Sequence, residues 1–119
     1  MSAYLPRHEP GAAVTITATS DLTGGRLVTA AGATAGADEA TVIGVVARDV
    51  INTEAVTVYS GGVQHLIAAS AIAVGDFVKP AADGKIAAAA VDTDAPTILI
   101  GIALAAGDAD ADIAVKFLR

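Results

Sequence analysis

The feature that most constrains the fold is an internal repeat, because the second half of the chain follows the pattern of the first. The matched segments are residues 22–28 with 72–78, 42–46 with 99–103, and 56–59 with 113–116. This alignment pairs Gly25 with Gly75 and Gly44 with Gly101. Each copy runs from a glycine turn, through a branched apolar segment interrupted by one glycine, to an alternating strand. The repeat predicts one β-domain built from two similar halves.

The hydrophobic pattern after the first residues is that of short strands separated by turns. Val14 to Thr17 alternates in polarity, as a strand with one buried face does. Residues 41–48 are almost continuously apolar, which is typical of a strand buried on both faces. We therefore expect an all-β fold, a single small barrel-like or sandwich-like domain of roughly nine strands. The expected divisions are an extended N-terminal arm at residues 1–11 and a β-domain at 12–119, with halves at about 12–62 and 63–119.

Composition excludes several classes of function. The 119 residues suffice for one domain, and the absence of cysteine excludes disulfides, thiolate metal sites and cysteine nucleophiles. A net charge of −6 argues against nucleic-acid binding, which needs clustered basic side chains. No run approaches the roughly 20 apolar residues of a membrane-spanning helix. The first residues lack the apolar core of a signal peptide, so we expect synthesis in a cytoplasm, with neither nucleic acid nor membrane as a partner.

Three acidic residues near the C-terminus, Asp108, Asp110 and Asp112, have the alternate spacing that opens a calcium-binding loop. The sixth position of such a loop is glycine and the twelfth is glutamate, whereas this chain has Ile113 and Arg119 there. The alternative is a solvated turn that leads into a strand, and we favour it. No metal or other cofactor is predicted. This acidic segment and the N-terminal arm are the two features without a visible counterpart in the repeat.

His65 is the histidine most able to serve in catalysis, because His8 lies in the arm. Ser60, His65 and Asp76 form a nominal triad, but the serine lacks the Gly-x-Ser-x-Gly turn and nothing marks an oxyanion hole. The alternative is that His65 is a polar strand residue on a solvent or interface face. We favour it, and predict no enzymatic activity, no catalytic residues and no cofactor-binding residues.

Several short motifs occur in a characteristic order along the chain. They are Tyr-Leu-Pro at 4–6, Pro-Gly at 10–11, Val-Thr-Ile-Thr at 14–17, Val-Ile-Gly-Val at 42–45, Val-Thr-Val-Tyr-Ser-Gly-Gly-Val at 56–63, Gly-Asp-Phe-Val at 75–78 and Asp-Gly-Lys-Ile at 83–86. In these motifs the chain resembles, over essentially its full length, the capsid cement or head-decoration proteins of bacteriophages. The resemblance implies a β-rich homotrimer on the outer surface of an icosahedral shell, with the major capsid protein as partner. It offers no catalytic residues to carry over.

The N-terminal arm has two interpretations. It is either a frayed terminus or a segment that docks on a partner, because Tyr4 and Leu5 form an apolar pair beside the basic residues Arg7 and His8. We predict that Tyr4, Leu5, Arg7 and His8 make the capsid or inter-subunit contact.

A second function remains open at this point, that of a small β-clip or barrel-like module that binds a ligand or carbohydrate. Such a module needs a concave pocket with aromatic or convergent polar groups. The chain has only two tyrosines and two phenylalanines, and no tryptophan. This scarcity disfavours the alternative.

Overall fold

The computed structural model describes residues 13–90 and 92–118, which form nine strands in two antiparallel sheets. The strands are β1 (Val14–Thr17), β2 (Leu27–Thr29), β3 (Val42–Val46), β4 (Ala55–Tyr59), β5 (Val63–Ile67), β6 (Phe77–Pro80), β7 (Ile86–Ala88), β8 (Gly101–Ala103) and β9 (Asp112–Phe117). Two single 3₁₀ turns span Ala82–Gly84 and Pro96–Ile98. The predicted all-β fold of about nine strands is confirmed. Within the described ranges no helix has the length and apolar character needed to cross a membrane.

The two sheets repeat one design. The first has the order β1-β4-β3-β2 and the second β5-β9-β8-β6-β7, so that β7 is the added strand. Leu27 pairs with Val45 in the first sheet, and their counterparts Phe77 and Ile102 pair in the second. We call β1–β4 the first repeat and β5–β9 the second repeat.

The glycine turn that precedes β2 and β6 has the same geometry in both repeats. Gly25 has φ +80° and Gly75 has φ +86°, a backbone region that residues other than glycine rarely adopt. The Gly25 amide donates to the Val46 carbonyl at 2.8 Å, and the Gly75 amide donates to the Ala103 carbonyl at 2.9 Å. Each turn therefore ties the start of one strand to the end of the strand that pairs with it, β2 to β3 and β6 to β8.

A second pair of glycines allows neighbouring strands to approach closely. A Cβ atom on Gly44 would lie 2.2 Å from the carbonyl oxygen of Tyr59, and one on Gly101 would lie 2.4 Å from that of Lys116. Real Cβ atoms do not come this near to backbone atoms. Both positions therefore require glycine for packing, which is the close backbone approach that an in-strand glycine indicates.

The buried side chains form two clusters that meet at β2 and β3. The smaller cluster lies within the first repeat and includes Val28 and Val46. The larger cluster contains the interior of the second repeat together with Leu27 and Val45. Neighbouring residues of a strand point to opposite faces, so β2 and β3 contribute one face to each cluster. Burial of each such Val or Leu contributes roughly 1.5–3 kcal/mol, which makes this shared pair of strands the centre of the fold.

The close approach at the paired glycines predicts the cost of a single methyl group. We expect Gly44→Ala and Gly101→Ala each to lower the free energy of unfolding by roughly 2–3 kcal/mol, the upper part of the range for overpacking, because the obstacle is backbone. Urea denaturation followed by circular dichroism measures this cost. Gly36→Ala is the control, since its Cβ would meet nothing within 4 Å, and a change within about 0.5 kcal/mol is expected there. Equal stability of all three variants would contradict the interpretation.

Candidate functional site

The residues predicted to make the capsid or inter-subunit contact lie outside the described part of the chain. Tyr4, Leu5, Arg7 and His8 all precede residue 13, where the description begins. Their role stays a prediction. The described residues carry several polar contacts and one partly exposed sheet face, which the following paragraphs describe in turn.

His65 is paired with a different carboxylate from the one in the nominal triad. It lies on β5, and its Nδ1 is 3.3 Å from Oδ1 of Asp112 on the neighbouring strand β9. Their side chains are 70% and 63% exposed. Asp76 instead accepts a hydrogen bond at 2.9 Å from the backbone of Ala73. His65 is thus a polar strand residue on an open face, beside Asp112.

The three aspartates near the C-terminus point to separate partners. Asp110 forms an ion pair with Lys85 at 3.0 Å, Asp112 lies beside His65, and the backbone carbonyl of Asp108 closes a turn by accepting from Ala111. In residues 13–90 and 92–118, no group of three or more acidic, histidine or cysteine side chains is placed to hold a metal ion. The segment has the form of a solvated turn.

This acidic turn does have a counterpart in the first repeat, contrary to the expectation from sequence. Thr53 has φ +77° and its amide donates to Ala18 at 2.9 Å, while Asp110 has φ +67° and its amide donates to Ala68 at 2.7 Å. The two turns share a backbone conformation and a hydrogen bond but differ in their side chains. The sequence repeat therefore does not extend visibly to them. The acidic segment is therefore part of the repeated architecture.

Polar contacts join the two repeats beside the larger core cluster. Lys79 on β6 lies 3.0 Å from Asp38 of the first repeat's β2–β3 loop and 3.2 Å from Asp94. Arg26 donates to the carbonyl of Asp83 at 2.8 Å, and the amide of Gly84 donates to the carbonyl of Ala35 at 2.9 Å. These contacts hold the β6–β7 connection against β2 and the loop that follows it.

The charges at this junction stabilise one another's ionised form. The hydrogen bond from Lys79 to Asp38, followed by that to Asp94, raises the pKa of Lys79 above 10.5. The backbone amide of Ala90 donates to Asp94 at 2.8 Å and, together with Lys79, lowers the pKa of that carboxyl below 3.8. Both groups are therefore charged at neutral pH in the folded chain.

The second sheet has an outer face of mixed polarity that the chain leaves partly uncovered, and it carries His65, Asp112 and Lys116 beside its apolar residues. One row of paired residues crosses four of its strands, namely Val63, Lys116, Ile102 and Phe77. Val63 is 54% exposed, and Ile102 and Phe77 are each partly exposed. The equivalent residues Val45 and Leu27 of the first sheet are 4% and 0% exposed. The sequence repeat identifies the two pairs as equivalent, but it does not indicate which pair is buried.

The described aromatic side chains do not converge with polar side chains, and the small cleft that Phe117 lines is otherwise formed by Val42, Ile43, Gly44 and Ile100. Phe117 is buried in the larger cluster, whereas Tyr59 is 48% exposed and Phe77 lies in the outer row of the second sheet. One surface groove is lined by Pro96, Thr97, Leu99 and Leu118, which brings no charged side chain to it. A carbohydrate site needs aromatic and convergent polar groups together, and this groove lacks both.

Comparisons with known proteins give one family model and a similar solved structure. A family model described as phage cement protein matches residues 8–117. A search of curated protein sequences finds no match. Among solved structures, the chain is similar to the N base of head fibre gp8.5 from bacteriophage phi29, with a TM-score of 0.67 and 22% sequence identity. That match covers 89% of this chain and 92% of that chain, and at this identity it shows a shared fold.

The ion pairs of Lys79 with Asp38 and Asp94 predict a pH dependence of stability. Because the pKa of Asp94 is lowered, its contribution is present above 3.8 and is lost as the pH falls through its folded-state pKa. Because the pKa of Lys79 is raised, its contribution is present below 10.5 and is lost as the pH rises through its folded-state pKa. We expect Lys79→Met to lower the melting temperature at pH 7, and the difference from wild type to narrow at both extremes of pH.

The matched control is Lys85→Met, which removes a single pair to the 77% exposed Asp110. Solvent screening leaves such a pair little net effect, so its melting temperature should change less. Thermal melts of both variants from pH 2.5 to 11 make the comparison. A drop for Lys85→Met as large as that for Lys79→Met would contradict the structural role of the junction.

Proposed function

This chain belongs to the phage cement protein family, and we propose that it decorates the outer surface of an icosahedral phage capsid as a homotrimer that bridges major capsid protein subunits. The coarser part follows from the family, which makes it a structural virion protein that associates with the phage head. The observation that carries the proposal is the match of the family model over residues 8–117, almost the entire chain. The fold shared with the head fibre base of phi29 supports it.

Cementing requires binding that favours the assembled shell over its separate subunits. A ligand that binds only one state stabilises that state by mass action, by about 2.7 kcal/mol per site when its free concentration is 100 times the Kd. A decoration protein that contacts two capsid subunits at once meets this condition, because its site exists only in the lattice. No chemical reaction is needed for this effect.

A trimer strengthens such binding through avidity. A closed cyclic trimer presents the same contact three times, so attachment of one subunit raises the effective concentration of the other two at the shell. Contacts that are weak singly then hold firmly together. The fold is suited to this role, since its repeated strands and turns provide a rigid body that can present contacts in constant positions.

The charge of the chain favours the outer surface of the shell. The net charge of −6 would repel the phosphates of packaged DNA, whereas it is compatible with solvent on the outside. The outer location remains part of the proposal, together with synthesis in the cytoplasm of the bacterial host.

We assign the capsid or inter-subunit contact to the N-terminal arm, residues 1–11. Tyr4 and Leu5 supply apolar area, Arg7 supplies positive charge in an otherwise acidic chain, and His8 supplies a polar ring. Pro6 restricts the backbone between the two pairs, which lowers the entropy lost when an extended segment is ordered on a partner.

Removal of the arm tests this assignment. Deleting residues 1–10 should weaken binding to empty capsids at least about tenfold, because burial of a single leucine contributes roughly 1.5–3 kcal/mol and 1.4 kcal/mol is a factor of ten in Kd. Co-sedimentation with capsids over a concentration series measures this. The deletion variant should keep the far-ultraviolet circular dichroism of the full chain, since β1 begins only at Val14.

Smaller changes separate the two kinds of contact within the arm. The double variant Tyr4→Ala with Leu5→Ala should reproduce most of the loss, and Arg7→Ala should weaken binding mainly at low salt, where charge attraction is least screened. Ser2→Ala is the control and should bind as wild type does. Unchanged co-sedimentation of the deletion variant would overturn the assignment to the arm.

Stabilisation of the shell tests the broader proposal. Saturating addition of the protein to empty capsids should raise the temperature at which they disassemble, measured by light scattering. A chain that leaves this temperature unchanged, and that instead binds a sugar saturably as a monomer, would contradict the capsid role and favour the ligand-binding alternative.

A further inference from the structure

The second sheet ends in an edge strand whose backbone is paired on one side. β5 is the last strand of that sheet, and within the described ranges its ladder partner is β9 alone. In the same register, the amide of Phe117 donates to the carbonyl of Gly62 at 2.8 Å. Hydrogen-bonded pairs alternate in an antiparallel ladder, so the even-numbered residues of β5 face β9. The amides and carbonyls of Val63 and His65 therefore point outward at the edge of the sheet.

The open part of this edge has definite ends. It begins at Val63, directly after the turn at Gly61 and Gly62. It ends after β5, where the amide of Ala69 donates to the carbonyl of Ile86 on β7 at 2.7 Å. An open edge strand is a template onto which another extended segment can pair, and proteins usually cover such an edge. The structure thus offers a site for one added strand as long as β5, which has five residues.

We propose that the N-terminal arm covers this edge as an added strand, with residues 5–9 lying antiparallel to β5 of the same chain. Val14 pairs with Val58, so the arm joins β1 beside the end of β4, from which the chain turns directly into β5. On the arm, Glu9 lies five residues before Val14. On the other segment, Val63 lies five residues after Val58. Segments of equal length that leave one paired position can remain side by side, which places Glu9 opposite Val63.

The two prolines of the arm fit this arrangement. Pro6 and Pro10 are four residues apart, so in an extended strand both present their backbone to the same side. Proline has no N–H to donate, so the arm pairs with β5 without losing a hydrogen bond only through its odd-numbered residues, Leu5, Arg7 and Glu9. Both prolines then lie on the new outer edge, where the missing N–H opposes the addition of a further strand.

The charges on the two segments favour the antiparallel direction. The opposed residues are then Leu5 with Ile67, Arg7 with His65 and Glu9 with Val63. Directly opposed residues share a face of a sheet, and on that face β9 places Lys116 beside Val63 and Asp112 beside Ile67. Glu9 therefore lies at the end of β5 that carries Lys116. A parallel strand would instead bring Glu9 to the end that carries Asp112, where like charges repel.

This inference goes beyond the proposed function, because it concerns a contact within one chain and holds whether or not that chain decorates a capsid. It is compatible with the assignment of the capsid contact to the arm. A segment that is already ordered on the sheet edge loses less entropy when a partner binds it.

Amide hydrogen exchange followed by NMR tests the added strand residue by residue. Loss of five strand residues changes far-ultraviolet circular dichroism only slightly, so a local readout is needed. The outward amides of His65 and Ile67 should exchange at least about tenfold more slowly in the full chain than in a variant that lacks residues 1–10, because a ladder amide exchanges only when its strand opens. The amides of Gln64 and Leu66 face β9 and should be protected in both proteins, which shows that the variant is folded. Equal exchange of the outward amides in both proteins would overturn the proposal.

An engineered disulfide tests the register and identifies the chain that supplies the arm. The natural chain has no cysteine. The double variant Leu5→Cys with Ile67→Cys puts two cysteines directly opposite each other, at the Cα separation of about 5.5 Å that suits a disulfide. On oxidation at micromolar concentration it should form a bond within one chain, seen as a monomer on non-reducing electrophoresis that no longer reacts with a thiol reagent.

The matched control is Leu5→Cys with Val63→Cys, whose cysteines would lie roughly 13 Å apart along the ladder and should stay reduced. A bond in the control alone would indicate the parallel direction, and a bond between chains would assign the arm to a second copy. Either result, or a first variant that stays reduced, would overturn the proposal. Capsid co-sedimentation tests the proposed function separately, so the failure of one does not imply the failure of the other.

Discussion

Leu27 and Val45 lie side by side on β2 and β3, and the packing of their face against the second repeat is the contact on which the rest of the structure depends. Because the opposite face of the same two strands carries Val28 and Val46, this thin sheet separates two cores and serves both. Each core is made of valine, isoleucine, leucine and alanine, with Phe117 the only aromatic side chain among the buried cluster residues that the structure describes. A small side chain removes little apolar area from water. Because both faces of β2 and β3 are buried, this strand pair adds apolar burial that small side chains alone would not provide.

Several polar side chains of the described surface also serve the fold. The polar side chains that looked most reactive in sequence are engaged singly, as with His65 beside Asp112 and Asp110 beside Lys85. The ion pair of Lys79 with Asp38 bridges the repeats, and the strand glycines allow neighbouring backbones to approach closely. These groups hold together the repeated body of this member of the phage cement protein family.

Much of the fold was accessible from sequence because its determinants are local. Turn glycines and alternating strands are dictated by backbone sterics and by the two-residue period of a strand, and both are visible in neighbouring residues. The prediction that the acidic turn has no counterpart in the first repeat was wrong for a related reason. Its equivalence to the turn at Thr53 lies in a shared left-handed backbone conformation, and side chains as different as threonine and aspartate can adopt it without leaving a common pattern.

The sequence by itself determined the all-β class, the repeated order of strands and the paired positions at which glycine is required. Only the tertiary structure decided that Leu27 and Val45 are buried while Phe77 and Ile102 are partly exposed, although the two pairs are equivalent in pattern. The physical reason is that a strand's period reports which residues share a face, whereas burial depends on what packs on that face. Two repeats in one chain can cover only one of their two outer faces, and the choice between them is made by long-range packing that no local pattern records.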